Sequence, residues 1–115
     1  KPIRVCVRPD VALAFGDRAQ AGASLTISER IDRHNFERLA PGAAIGWLEP
    51  GSPWPLEAMG LNGEDCSRAF FERNGDVLQT RRAFIPIMMT TDRVIAKNDC
   101  LFYAVRAEVQ NARRG

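Results

Sequence analysis

The residues of this chain best suited to chemistry are its arginines, and the adjacent pair Arg81-Arg82 is the most pointed of them. The pair interrupts an apolar run, V-L-Q-T-R-R-A-F-I-P, and neighbouring residues of a strand face opposite sides of a sheet. One of the two should then face the more buried side, where a guanidinium requires a carboxylate or a bound anion. Arg68 comes close if the preceding element packs on the sheet, and an acid such as Glu57 could assist. Arg81, Arg82, Arg68 and Glu57 thus make a small anionic or carboxylate ligand the sharpest site expectation. The plain structural counterpart is an Arg–Glu ion pair at a sheet edge. Trp47 and Trp54 form the second candidate, in a stretch from Pro41 to Pro55 too rich in proline and glycine for a long regular element. Exposed indoles forfeit a large apolar area, so this loop must fold onto something, either one end of the core or a partner protein.

Other chemistries find little support. His34 is the single histidine, and Cys6, Cys66 and Cys100 lie too far apart for a C-x-x-C pair, so neither a metal nor another cofactor is expected. Amid Asp32, Arg33, Glu37 and Arg38, His34 reads as a surface residue. Glu49, Glu57, Glu64, Asp65, Asp92 and Asp99 all fall in or near expected loops, where turn chemistry is the ordinary role of an acid. There is no phosphate-binding glycine loop, nucleophile elbow or H-E-x-x-H, so no catalytic residue is assigned. The segment N-G-D-V-L-Q-T-R-R-A-F-I-P resembles the hairpin of chorismate-lyase-like effector-binding domains. The likeness is confined to residues 74–86 and implies only a small-carboxylate pocket; hairpins of this layout are common, and no family is assigned on it.

The elements that must position these residues follow from periodicity. Ile3, Val5 and Val7 alternate with polar neighbours, as do Val11, Leu13 and Phe15 with alanines, and Leu25 with Ile27 suggests a third strand. Ser28 with Glu29 reads as the start of a helix whose stripe is Ile31, Asn35, Phe36 and Leu39, stopped at Ala40-Pro41-Gly42. Ile45, Trp47 and Leu48 suit a brief strand, and Leu56 to Leu61 a helical turn. Glu64 to Arg73 reads as a helix by its charge order and a Glu64–Arg68 pair, with a strand and an Asn74-Gly75 hairpin as the alternative. Asp76 to Val109 reads as a three-stranded antiparallel meander. Its last strand has Leu101, Tyr103, Val105, Ala107 and Val109 on one face, and Pro86 requires an edge or a bulge.

At 115 residues, with 45% hydrophobic and 26% charged content, the chain has the composition of one globular domain, residues 1–115, with 111–115 as a frayed basic tail. A net charge of +2 is too small to point to nucleic acid; that function would need Arg4, Arg8, Arg81, Arg82, Arg113 and Arg114 on one face. No apolar run reaches the length of a membrane span, and an odd cysteine count suits buried thiols in the reducing cytoplasm, although a removed signal peptide would leave no trace. The expected fold is α+β, an antiparallel sheet of about five or six strands with one or two short helices packed on one face. The expected function is a small soluble binding or accessory domain acting through a protein partner or as a homodimer. The alternative is a pocket, binding or enzymatic, holding an anionic ligand on arginine.

Overall fold

In the computed structural model, which describes residues 2–60 and 62–107, the chain is built mainly of short strands. The strands are β1 (Ile3–Val7), β2 (Leu13–Gly16), β3 (Leu25–Ser28), β4 (Ala44–Leu48), β5 (Leu56–Met59), β6 (Phe71–Asn74), β7 (Val77–Thr80), β8 (Phe84–Ile87) and β9 (Phe102–Arg106). Two short helices, α1 (Ser67–Phe70) and α2 (Arg93–Asn98), and a 3-10 turn at Ile31–His34 complete the regular structure. The strands form two sheets, a four-stranded one in the order β5-β1-β9-β8 and a five-stranded one in the order β2-β3-β4-β7-β6. The first is antiparallel throughout; in the second β2 and β3 run parallel.

Alternation fixes which face of the four-stranded sheet is buried. In β1, Ile3, Val5 and Val7 face the core and Arg4 faces out. Val5 lies opposite Ala58 on one side and Phe102 on the other, so three strands contribute to one apolar row. The five-stranded sheet supplies Leu13, Leu25, Ile27, Ile45, Leu78 and Phe71 to the same core. The two sheets meet at a phenylalanine cluster. Phe71 of β6 lies 5.5 Å from Phe84 of β8 and 6.0 Å from Phe102 of β9, edge to face, while Phe84 and Phe102 stack at 5.8 Å. Phe70 adds a further edge contact to Phe84 at 6.0 Å.

Backbone groups outside the ladders are closed by side chains. Thr80, fully buried, donates its hydroxyl to the Ala40 carbonyl at 2.7 Å and accepts from the Ala43 N–H at 2.9 Å, which fastens the loop before β4. Lys97 at the end of α2 donates its ammonium to the carbonyls of Arg8, Pro9 and Val11, gathering the β1–β2 turn around one charge. Gly46 lies against β3, where a Cβ would collide with the Thr26 carbonyl oxygen.

The fold is α+β, but with two sheets, one of them mixed, in place of the expected single antiparallel sheet. The meander is absent as such: β7 belongs to one sheet and β8 and β9 to the other, and the apolar Val94-Ile95-Ala96 run is helical. The cause is Asp92, whose carboxylate accepts from the Val94 and Ile95 N–H groups and caps α2. In β9 the buried residues are Phe102 and Ala104, and Tyr103 and Val105 face the other side; Val109 and the 111–115 tail lie outside the described residues. Ser28 ends β3 and starts no long helix; only Ile31–His34 form a helical turn, because the backbone goes extended at Asn35 (ψ 131°) and left-handed at Phe36 (φ 68°). Leu56 to Met59 is strand, since pairing with β1 buries Leu56 and Ala58. Glu64 to Arg73 contains both alternatives, one helical turn at Ser67–Phe70 and then β6, because consecutive Phe70 and Phe71 both reach Phe84. Pro86 does lie in an edge strand, and its carbonyl accepts from the Phe36 N–H at 2.7 Å.

The phenylalanine cluster yields the first prediction. Phe84→Ala should cost about 3–5 kcal/mol, the range for emptying a fully buried aromatic site. Urea unfolding of the variant against the parent measures it, and a loss under about 1 kcal/mol would show that the sheets are not joined through these rings.

Candidate functional site

Antiparallel pairing brings alternate strand ends to one margin of the four-stranded sheet. There β1 begins at Ile3, β8 begins at Phe84, β5 ends at Met59 and β9 ends at Arg106. The loop after β5 and helix α1 fold over this margin. Asp65 holds them there, its carboxylate accepting from the Ala58 N–H at 3.0 Å and the Ser67 N–H at 2.8 Å, while the Cys66 N–H donates to the Ala58 carbonyl at 2.7 Å. The result is a recess of about 500 Å³. Ile3, Ala69 and Phe70 supply its apolar lining, and Asn62, Glu64, Arg82 and Arg106 its polar groups. Its volume lies within the range of small-molecule sites, with a lining more polar than most of them.

Arg82, half-buried in the bend between β7 and β8, places its guanidinium 5.0 Å from the centre of the Phe70 ring. A cation held over an aromatic face keeps its hydrogen-bond donors at the ring's periphery. Arg106 enters from the end of β9, opposite Phe84 in register. Neither is ion-paired among the described residues, whose salt bridges are Arg4–Asp99, Arg8–Asp10, Arg8–Glu57 and Arg18–Asp17. Asn62 donates its amide to a Glu64 carboxylate oxygen at 3.2 Å, which orients both at the rim. Cys66 also borders the recess and donates its thiol to the Ala58 carbonyl at 3.2 Å. Burial, then the charges of Asp65 and Glu64, push its pKa above that of an ordinary thiol. A protonated thiol is a poor nucleophile.

A second hollow, of about 540 Å³, lies over Glu29, Arg30, Asp32 and Arg33, but four charged side chains without an apolar wall make a solvated surface. Among the described residues no group of three metal-ligating side chains occurs, and no helix is long and apolar enough to cross a membrane. His34 ends the 3-10 turn, half-buried and away from the recess lining.

Of the six residues singled out by sequence, only Arg82 lines the recess. Arg81 is exposed and donates to the Arg68 carbonyl at 3.2 Å. The two arginines do not alternate across a sheet, because β7 ends at Thr80 and both occupy the crossing between sheets. Arg68 lies over the Trp54 ring at 4.4 Å, and the Trp54 indole N–H donates to the buried Ser67 hydroxyl at 2.8 Å. Ser67 in turn donates to the Leu56 carbonyl, so Trp54 braces α1 against β5. Glu57 pairs with Arg8 at 3.3 Å on the outer face of the sheet. Trp47, half-buried in β4, borders a shallow hollow with the Ala19–Ala23 segment, Pro50 and Asp76. Arg106 and Asn62 were not anticipated. Nothing in the sequence links Arg106 to Arg82 except the β8–β9 register. Of the arginines a nucleic-acid surface would need, Arg4 and Arg8 are paired with acids, and Arg113 and Arg114 lie outside the described residues.

The chain matches no protein-family model, no curated protein and no solved structure. Its function therefore rests on its own geometry.

The Asp65 latch can be tested by pH. Burial pushes its pKa up, but the hydrogen bonds from Ala58 and Ser67 outweigh this and hold it below the usual carboxylate range. A depressed folded pKa stabilises the fold above the unfolded value of about 3.9, and the contribution is lost as pH falls through the folded value. Asp65→Asn should therefore melt below the parent at pH 7, and the gap should narrow as pH falls below the unfolded value and close only below the depressed folded one. Melting curves across that range check it; a gap independent of pH would mean the charge is not what latches the loop.

Proposed function

We propose that this chain is a ligand-binding domain whose recess at the end of the four-stranded sheet takes a small carboxylate. The observation that carries this is the meeting of Arg82 and Arg106, without carboxylate partners among the described residues, beside the apolar surface of Ile3, Ala69 and Phe70. A guanidinium is always charged and its planar donors match a carboxylate. A half-buried one held over an aromatic ring has already lost part of its solvation and gains by acquiring an anion.

The test is a thermal-shift screen with small carboxylates and inorganic phosphate, followed by calorimetry on any that bind. A ligand at a hundred times its Kd should add about 2.7 kcal/mol, a shift of about 10 °C in a domain of this size. Arg82→Ala should weaken binding about tenfold or more, the worth of a charge-assisted hydrogen bond; Arg106→Ala should weaken it less because Arg106 is exposed. Arg81→Ala, outside the recess, should leave affinity unchanged. If no carboxylate or phosphate binds, or if Arg82→Ala binds as the parent does, the reading fails.

A second reading, self-association, is favoured by a different observation. The outward face of the four-stranded sheet carries Tyr103, Ile87, Val105 and Ile85 in adjacent register positions, with Met59 on the far side of Arg4. Beyond it Phe36 is 75% exposed and Met88 68%, and both hold left-handed φ values of 68° and 58°. Asn35 enforces this, its amide accepting from the Met89 N–H at 2.7 Å and donating to the Met89 carbonyl at 3.4 Å. Exposed apolar side chains kept on a strained backbone are costly unless covered. Both edge strands of this sheet, β8 and β5, are already capped, by the Leu39–Phe84 bridge and by the Met59–Asp65 bridge, so a second copy would dock face to face. Sedimentation should then show a dimer that Phe36→Ser with Met88→Ser returns to monomer; a parent that stays monomeric at high concentration excludes it.

A further inference from the structure

The recess is not purely cationic, and its acid carries a second consequence. Glu64 lines it together with Arg82 and Arg106, and has no ion-pair partner among the described residues. Repulsion from this carboxylate would weaken any simple anion bound on the two arginines. The loop nevertheless holds it in place. Asn62 donates to one Glu64 oxygen at 3.2 Å, and the Glu64 carbonyl accepts from the Gly60 N–H at 3.2 Å. The Asn62 amide spends a donor on this contact, so its carbonyl oxygen remains an acceptor beside the Glu64 carboxylate. The rim thus presents an acceptor pair on one element and guanidinium donors on two others, with Ile3, Ala69 and Phe70 as the apolar part.

We infer that the ligand is a zwitterion, a small apolar amino acid or a molecule of that charge pattern. Its carboxylate is held by Arg82 and Arg106, its ammonium by Glu64 and Asn62, and its hydrocarbon part by Phe70 and its neighbours. This rests on the ligand-binding reading above and narrows it. Charge pairing accounts for an acid standing among the arginines: a zwitterion satisfies both signs, whereas a simple carboxylate leaves Glu64 uncompensated. A recess of about 500 Å³ accommodates an amino acid with a branched or aromatic side chain.

The experiment is calorimetry of the full chain and of Glu64→Gln with leucine and phenylalanine, their N-acetyl derivatives, and the matching amines that lack the carboxylate. The parent should bind the free amino acids about tenfold or more tightly than the N-acetyl forms, and the amines least. Glu64→Gln should abolish that preference by losing affinity for the free amino acids while keeping or improving affinity for the N-acetyl forms. Glu64 is exposed, so the variant should fold as the parent does, and an unchanged melting temperature without ligand confirms it. The inference is overturned if the N-acetyl forms bind as well as or better than the free amino acids to the parent. In that case carboxylate binding stands and only the ammonium site is lost. Absence of binding by all three groups, or binding that Arg82→Ala leaves unchanged, overturns both readings together.

Discussion

Everything else in this fold depends on the contact between Phe71, Phe84 and Phe102. The strands are short, and neither sheet has a second layer of its own to bury its apolar face. Phe71 comes from the last strand of one sheet, Phe84 and Phe102 from the last two of the other, and all three are essentially inaccessible to solvent. Edge-to-face and stacked ring pairs add specificity to plain area burial, so the sheets are fixed in angle as well as in proximity. The chain has to cross from β7 to β8 to make this contact, and Arg81-Arg82 lie in that crossing. Arg82 arrives over Phe70 because the neighbouring Phe71 and Phe84 are packed together, so the site is a by-product of the core's geometry.

The strands that announce themselves in the sequence are those whose burial is settled by alternation alone. β1 is read correctly because Ile3, Val5 and Val7 face one way whatever surrounds them, and β2, β3 and β4 fall within a residue or two of where their patterns put them. The failures share a physical cause. Val94-Ile95-Ala96 carries strand formers, and only the Asp92 cap, read as a turn residue, makes it helical. Phe70 and Phe71 are adjacent and both buried, which no single period accommodates; the chain changes from helix to strand between them. Leu56 and Ala58 alternate like β1, but a two-residue pattern does not outweigh its proline-rich surroundings until pairing with β1 is known.

The candidate recess is only partly legible in the sequence. A guanidinium in an apolar run is a legitimate flag for a group needing a partner, and Arg82 does lie in a recess. Arg81 and Arg68 are close to one another as expected, while Trp54, read as part of a separate candidate, joins Arg68 in bracing α1 outside the recess lining. Arg106, Asn62 and Glu64 join Arg82 only through strand register and loop closure, and neither is written in residue type or local spacing.

The placement of β1 bears on how the chain is made. This strand lies between β5 and β9, so its hydrogen-bonding partners come from residues 56–59 and 102–106. Lys97 likewise closes the turn that follows β1 from far down the chain. During synthesis the first strand therefore emerges long before either neighbour, with its valines uncovered. The central strand of the sheet must wait for nearly the whole described chain, which makes folding a single late event with high contact order. A ribosome pause or truncation before residue 102 would leave β1 with one side unpaired and the Phe71 ring without Phe102. Such a product is a substrate for chaperones and proteases rather than a smaller working domain.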